Sequence, residues 1–368
     1  MAVQIAPSAI VPEPAEEQRY RIDPGAPRGP SGPGFAGSGP RRRPRRFGTL
    51  IGSMATIAVA SSVGVLLTAK HEVDRIARVP GLAGVLSGSN DHFENYLLVG
   101  SDSRAGEDPS SPDFAGIGNA TDVTGSRSDT IMVLHRDFAS GKASLLSLPR
   151  DLWVDIPGRK SPSRINAAYQ DGPSVLVQTV QQTLKIPVQH YVEVDFQGFK
   201  SLVDAIGGVQ VCFALPARDT HTGFFVPQPG CHVLAGVQGL AYARSRHYET
   251  FVNNQWVEDP SSDLGRIKRQ QQFINTALLA AIAKVKSNPF AAGDVLVSST
   301  GALRIDGQLD VLAAAGAMRD AVGKGLQTFS PPVVGKTIKG NAVLLLGAGA
   351  QAYIDYFSGV STTSPLPA

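Results

Sequence analysis

The run FGTLIGSMATIAVASSVGVLLTA, Phe47 to Ala69, holds 23 consecutive residues without a charge and directly follows the basic cluster RRRPRR. Fourteen of them are apolar and the rest are Gly, Ser or Thr. As a helix rising ~1.5 Å per residue the run reaches ~34 Å, enough to cross a hydrocarbon core about 30 Å thick. A cleavable signal would need a short leader, whereas 46 residues precede this run. One N-terminal transmembrane helix is therefore expected. Six basic residues flank it on the early side (Arg28, Arg41, Arg42, Arg43, Arg45, Arg46) and three on the late side (Lys70, Arg75, Arg78). That bias puts residues 1–46 in the cytoplasm and everything after the span outside.

The 46-residue leader is rich in Pro and Gly and poor in aliphatics, so it is expected to be a disordered cytoplasmic tail. It carries eight Arg, no Lys and four acids, which leaves 26 basic and 27 acidic residues for the rest. A near-neutral remainder excludes a polybasic nucleic-acid binder, and RRRPRR itself abuts the expected span. Export also bears on Cys212 and Cys231, the only cysteines. In an oxidising compartment a disulfide is favoured over two buried thiols, and closing that loop contributes about 3 kcal/mol on the chain-entropy model.

After the anchor, residues 70–92 (with GLAGVLSGSN) read as a linker and 93–357 as one extracytoplasmic domain, followed by a disordered tail at 358–368. NYLLVGSD reads as a strand; DTIMVLHRD and KASLLSLPRD read as a hairpin turning through FASG. PSVLVQTVQQTLK and FKSLVDAIGG have helical spacing, HYVEVDF and GVQVCF strand spacing. From Asp263, an expected N-cap, DLGRIKRQQQFINTALLAAIAKV forms a helix with the stripe Ile267, Ile274, Leu278, Ala281, Val285, and with Arg266 and Gln270 together on another flank. SSTGALRIDGQLD and VVGKTIKGNAVLLLG read as helix and strand closing the sheet. The fold class is α/β, a mixed central β-sheet wrapped by helices.

No HExxH, Cys/His cluster, GxSxG elbow or P-loop occurs, and His247 reads as structural rather than as a base. What recurs is Arg and Asp at strand ends: Asp102 and Arg104 in GSDSR, Arg127 and Asp129 in RSDT, Arg150 and Asp151 in LPRD, Arg164 in RINAAY. Each alone is an ordinary surface ion pair, but strand ends of α/β sheets are where ligands bind. In LAYARSRHYE, Arg244 and Arg246 stand two apart; on an extended segment they would share a side, a costly crowding unless an anion sits between them.

NYLLVGSDSR, RSDTIMVLH, SLLSLPRDLWVDIP, RINAAY, LAGVQGLAYARSRH and DLGRIKRQQQFI, in this order across residues 93–285, resemble the signature blocks of the LytR-CpsA-Psr family of cell-envelope proteins. The resemblance implies a membrane-anchored phosphotransferase. Such an enzyme takes a glycan from a polyprenyl-pyrophosphate carrier in the membrane lipid and joins it to peptidoglycan through a phosphodiester. By position, Asp102 and Asp129 resemble the acids associated with Mg²⁺ (or Mn²⁺ in its place). Arg127, Arg150, Arg164, Arg244, Arg246, Arg266 and Gln270 resemble the pyrophosphate-binding set, with Arg164 standing where many members have Lys. Asp102, Asp129, Arg150, Arg244 and Arg246 are the residues expected to carry catalysis. Guanidinium groups suit the chemistry, because their planar forks stay charged and grip phosphate oxygens in pairs. Ala, Gly and Arg usage points to an actinobacterial-type wall and so to arabinogalactan as the glycan.

A non-catalytic binder, or a hydrolase, of polyprenyl-pyrophosphate lipids would share the arginines. Carboxylates set among them favour catalysis, since a plain anion receptor gains nothing from acids beside its ligand without a metal. Two insertions, 105–126 and 248–262, read as lids, acceptor contacts or plain surface loops. Trp256 in the second reads equally as a sugar-stacking ring or a local packing anchor.

Overall fold

The computed structural model describes residues 71–103, 128–287, 297–298 and 300–365. The expected cytoplasmic tail, the anchor, Arg104, Arg127 and the loop 105–126 lie outside the described residues. Among the described residues no helix is long and apolar enough to cross a membrane.

In chain order the strands begin with β1 (Ala77–Arg78), β2 (Phe93–Ser101), β3 (Ser128–Asp137) and β4 (Ala143–Leu148). The short pair β5 (Trp153–Val154) and β6 (Ser163–Arg164) leads into helices α1 (Asn166–Gln170) and α2 (Pro173–Thr183). Next come β7 (His190–Val194), α3 (Phe196–Ala205), β8 (Val209–Phe213), β9 (Ala217–Asp219), β10 (Phe224–Val226) and β11 (Gly230–Leu234). Helix α4 (Gly236–Arg244), β12 (Glu249–Val252), β13 (Gln255–Glu258) and the long α5 (Ser262–Ser287) follow. The chain closes with β14 (Leu303–Ile305), α6 (Val311–Gly323), β15 (Leu326–Phe329), β16 (Val333–Ile338), β17 (Asn341–Leu346) and α7 (Ala350–Phe357).

The main sheet runs β1-β14-β7-β2-β3-β4-β15 and is mixed: β2–β3 and β3–β4 are antiparallel, while β2–β7 and β4–β15 are parallel. Alternation along the central strands assigns its two faces. Leu97, Val99, Ile131, Val133 and Leu146 pack with Leu176, Val177 and Val180 of α2 on one side. Tyr96, Met132, Leu134 and Leu145 meet Ile274 and Leu278 of α5 and Val322 of α6 on the other. Both faces are therefore covered, in keeping with the burial of every residue of β4. A third cluster, around Val211, Phe213, Phe224, Tyr242 and Phe273, knits β8, β10, α4 and α5 together. Helix α5 thus serves two cores, and Phe273, absent from the expected stripe, is fully buried.

Three expectations need correction. Residues 71–92 are not a spacer: Val73, Ile76, Val79 and Leu82 are buried, and β1 pairs in parallel with β14. VVGKTIKGNAVLLLG does not close the sheet; β16 and β17 form a separate hairpin. Most of its residues face water, which a sheet buried on both sides cannot accept, and Lys339 and Gly340 (φ 50° and 78°) make the tight turn that suits a two-residue hairpin. Helix α5 starts at Ser262, one residue ahead of Asp263, the expected N-cap.

Cys212 and Cys231 are directly opposite one another on β8 and β11, and the structure joins them as a disulfide. Reduction is expected to lower stability to unfolding by about 3 kcal/mol, read from urea melts with and without reductant. Equal midpoints in both would contradict this.

The sheet is also pinned by ionisable groups. His190 on β7 lies between Glu94 Oε1 (3.1 Å) on β2 and Asp306 Oδ2 (3.2 Å) just beyond β14. Burial opposes its protonation, but these hydrogen bonds outweigh it and raise the pKa to about 9. The stabilisation from protonated His190 is complete below the unfolded value of 6.5 and is lost as pH rises through 9. His135 behaves oppositely. Burial lowers its pKa to about 4, so its neutral form contributes fully above 6.5, and that contribution is lost as pH falls through 4. Between pH 6.5 and 9.5 the wild-type chain is expected to lose on the order of 2 kcal/mol, and His190→Gln to flatten that slope, in urea melts across the range. An unchanged slope in the variant would reject the assignment.

Candidate functional site

The site forms where β2 ends and β3 begins. Pairing passes from Gly100 opposite Thr130 to Ser101 opposite Ser128, so Asp129 is the extra residue of a β-bulge. Bulges re-aim a side chain out of the regular alternation. Asp102 follows immediately after β2, so the two aspartates leave neighbouring strands at the same sheet edge. The end of β2 is braced from beneath by Tyr169 of α1, whose hydroxyl donates to Ser101 Oγ at 3.1 Å.

Arginines converge on Asp129 from three separate segments. Arg150, just past β4, places Nη1 2.6 Å from Asp129 Oδ1. Arg246, beyond α4, places Nη2 3.4 Å from the same oxygen. Arg266 of α5, only 2 % exposed, lies close enough to act on it electrostatically. Burial would raise the Asp129 pKa, but these three guanidinium groups overcome it and hold the carboxyl below the ordinary aspartate value. Always-charged guanidinium groups gathered in a partly desolvated place suit a multiply charged anion.

The cluster extends sideways. Arg150 Nε approaches Asp151 Oδ2 at 3.5 Å, and Arg164 Nε approaches Asp151 Oδ1 at 3.4 Å. Arg164 also donates from Nη2 to the Ala342 carbonyl (2.8 Å), and Leu344 N donates to the Asp151 carbonyl (3.0 Å). The β16–β17 hairpin, unforeseen as a separate unit, is thus the support for this wing.

Arg244 and Arg246 are not side by side on an extended segment. Arg244 is the last residue of α4, and the backbone becomes extended only at Ser245. The Arg244 guanidinium lies 4.6 Å above the Phe196 ring. Close packing of α4 on α3 permits this: a Cβ on Gly236 would meet the Lys200 carbonyl oxygen at 2.5 Å.

Two residues outside the expected set hold Arg246 in place. Asp219, fully buried at the end of β9, accepts hydrogen bonds from Ser245 Oγ (2.7 Å) and His247 N (3.0 Å), the two neighbours of Arg246. It also accepts from His221 N at 2.9 Å. Burial would raise its pKa, but these bonds lower it on balance. Arg269, one turn from Arg266 on α5, donates to the Ser245 carbonyl (2.8 Å) and pairs with Asp259 (3.1 Å) while stacking on Tyr248. Arg269 lies within the quoted DLGRIKRQQQFI block, and i, i+3 spacing from Arg266 was its available signal. Asp219 had none, because its partners are distant in sequence.

Gln270 differs from its expected role. It is buried, and its amide donates to the Ala243 carbonyl (3.0 Å), so it ties α5 to the end of α4 behind Arg244. His247, exposed and paired with Glu258 (2.8 Å), is not aimed at the aspartates. The aliphatics Leu176, Val177 and Val180 of α2 are core residues. Phe196, Leu240 and Phe199 instead make a small separate apolar cluster beneath Arg244.

Among the described residues no group of three or more His, Cys, Asp or Glu could hold a metal by itself. Asp102 and Asp129 share only the sheet end from which they leave β2 and β3. Mg²⁺ is commonly held by one or two carboxylates and completes its shell with water and substrate phosphate, which is the donor chemistry two such acids offer.

Comparison with known proteins follows the same lines. The LytR_cpsA_psr family model matches residues 61–353. The chain is 32% identical over 333 residues to a Corynebacterium glutamicum protein named "Probable cell wall biosynthesis protein LcpB", covering 88% of this chain and 75% of that relative. It is 34% identical over 207 residues to a Halalkalibacterium halodurans protein named polyisoprenyl-teichoic acid–peptidoglycan teichoic acid transferase TagU, covering 55% of this chain and 63% of that one. In fold it is similar to a LytR-Csp2A-Psr enzyme from Actinomyces oris (TM-score 0.59, 23% identity, 77% of this chain and 96% of that one). It is also similar to Bacillus subtilis TagT (TM-score 0.53, 22% identity, 77% and 98%). With the family model covering residues 61–353, the arginine cluster included, and a relative matched along most of its length, this chain belongs to the LytR-CpsA-Psr family.

Proposed function

We propose that the chain moves a glycan-phosphate from a polyprenyl-pyrophosphate carrier to a hydroxyl of peptidoglycan. The observation that carries this reading is the convergence of Arg150, Arg246 and Arg266 on one bulge carboxylate. The relatives named for cell wall biosynthesis and teichoic acid transfer support it.

Arg150, Arg246 and Arg266 grip the diphosphate, with Arg164 extending the grip and Arg244 meeting it above Phe196. The prenyl chain leaves over the apolar cluster Phe196, Leu240 and Phe199. Mg²⁺ held by Asp102 and Asp129, or Mn²⁺ in its place, would neutralise charge on the phosphate oxygens. The acceptor oxygen bonds to the glycan-bearing phosphorus, the bridging P–O bond breaks, and polyprenyl phosphate leaves. Such transfer depends on positioning and charge neutralisation. Asp129, held ionised by three arginines, is a weak base, so Asp102 is the better candidate to receive the acceptor proton.

Under this reading Phe47–Ala69 anchors the chain in the membrane that contains the donor, and the catalytic domain is extracytoplasmic, where the disulfide persists. Arabinogalactan is the glycan proposed. The test supplies purified full-length chain with a glycan-loaded polyprenyl pyrophosphate, peptidoglycan and Mg²⁺. A phosphodiester-linked glycan on peptidoglycan is expected; release of free glycan-phosphate alone would make the chain a hydrolase, and retention of intact donor would make it a binder.

A further inference from the structure

Antiparallel sheets with one wet face normally present polar residues there. The sheet β10-β9-β12-β13 sets three aromatic rings among the charged residues there. Residues opposite one another in a ladder share a face, and positions two apart along a strand share it as well. Pairing sets Phe225 opposite Arg218, Arg218 opposite Glu249, Glu249 opposite Glu258 and Phe251 opposite Trp256. All six therefore occupy one face. The other face carries Ala217, Phe224 and Val226 into the core, so the face with the rings points outward.

On it, Phe225 is 54% exposed. Its ring lies 6.4 Å from Trp256, and Phe251 lies 5.2 Å from Trp256 on the other flank. The Arg218 guanidinium stacks on Trp256 at 4.2 Å and pairs with Glu249. At the edge, His247 is held by Glu258 (2.8 Å) and stacks with His221 (4.2 Å). The face is continuous with the arginine cluster, because His247 is the residue after Arg246 and Asp219 holds Ser245 and His247 on either side of it.

We infer that this face, carried largely by the 248–262 hairpin, docks the glycan strand of the acceptor. Pyranose rings present C–H faces that stack on aromatic quadrupoles and rims of hydroxyls that hydrogen-bond to carboxylates and guanidinium groups. Aromatic rings interleaved with Arg218, Glu249 and Glu258 offer both. An anionic membrane surface suits the face less well, since two carboxylates stand among the rings. The strand would cross Phe225, Trp256 and Phe251 and deliver a hydroxyl past His247 to Arg246. The inference rests on the transferase reading for its purpose, but its contacts stand apart from the diphosphate site.

The test is co-sedimentation of the full-length chain in detergent with insoluble peptidoglycan, and separately with phosphatidylglycerol vesicles. Phe225→Ala and Trp256→Ala are each compared with wild type, and unfolding midpoints check the fold. Phe225, mostly exposed, leaves little cavity when truncated. Each variant is expected to weaken peptidoglycan binding at least tenfold. Undiminished glycan binding by a folded Phe225→Ala chain would overturn the inference, as would loss confined to vesicles. Glycan binding by a chain that transfers nothing would instead remove the transferase reading and leave the docking face standing.

Discussion

Arg246→Ala is expected to lower kcat/KM for glycan-phosphate transfer by about 10²–10³-fold, the range seen when one preorganised charge donor is removed from a transition state. The fold should survive. The Arg246 side chain is about one-third exposed, and the loop around it is held by Asp219 and Arg269 rather than by Arg246 itself. Arg246→Lys should recover only part of the loss, because an ammonium group cannot reproduce two parallel bonds to phosphate. Transfer rates with matched unfolding midpoints check the expectation. Rates within threefold of wild type would remove Arg246 from the machinery.

Asp129→Ala is expected to do two things at once. Arg150, Arg246 and Arg266 lose their shared counter-charge, so unliganded stability should fall by on the order of 2 kcal/mol, less than for a fully buried pair because Asp129 is partly exposed. Without Mg²⁺, inorganic pyrophosphate should then stabilise the variant more than the wild type, since it no longer competes with an internal carboxylate. At a hundredfold excess over Kd the gain is about 2.7 kcal/mol. Wild-type Asp129 has a depressed pKa, so its stabilising pairing is present above the unfolded value of 3.8 and lost as pH falls below it. The variant should lack that acid-side loss. Thermal melts with and without pyrophosphate decide; equal ligand-induced shifts in both chains would mean that Asp129 does not screen an anion site.

Much of this architecture is legible along the chain. Period-two and period-3.6 spacing mark β2 to β4, α2, β7, α3 and α5 because each buries a continuous stripe or face. The linker assignment for 70–92 fails because Ile76 stands among charged residues and Leu82 among Gly and Ala, and only their contact with β14 and the main core makes them interior. The 248–262 hairpin had a local signal that was passed over: ETFV and QWVE flank Asn253 and Asn254, both at positive φ (49° and 65°), which Asn tolerates better than most residues.

At the site, the strand-end Arg and Asp residues are readable as a set, since their positions follow directly from strand boundaries. Their mutual geometry is not. The bulge that singles out Asp129 depends on a one-residue offset against β2, and Asp219 acts on residues more than twenty positions away. Gln270 enters the expected set through its resemblance to the family, whereas its bond to the Ala243 carbonyl at the end of α4 has no signal along the chain.

The most direct measurement is a crystal structure of the chain with a short polyprenyl pyrophosphate. The diphosphate is expected within hydrogen-bonding reach of Arg150, Arg246 and Arg266, with the first prenyl unit over Phe196. Density for the ligand elsewhere on the protein, away from those three arginines, would contradict it.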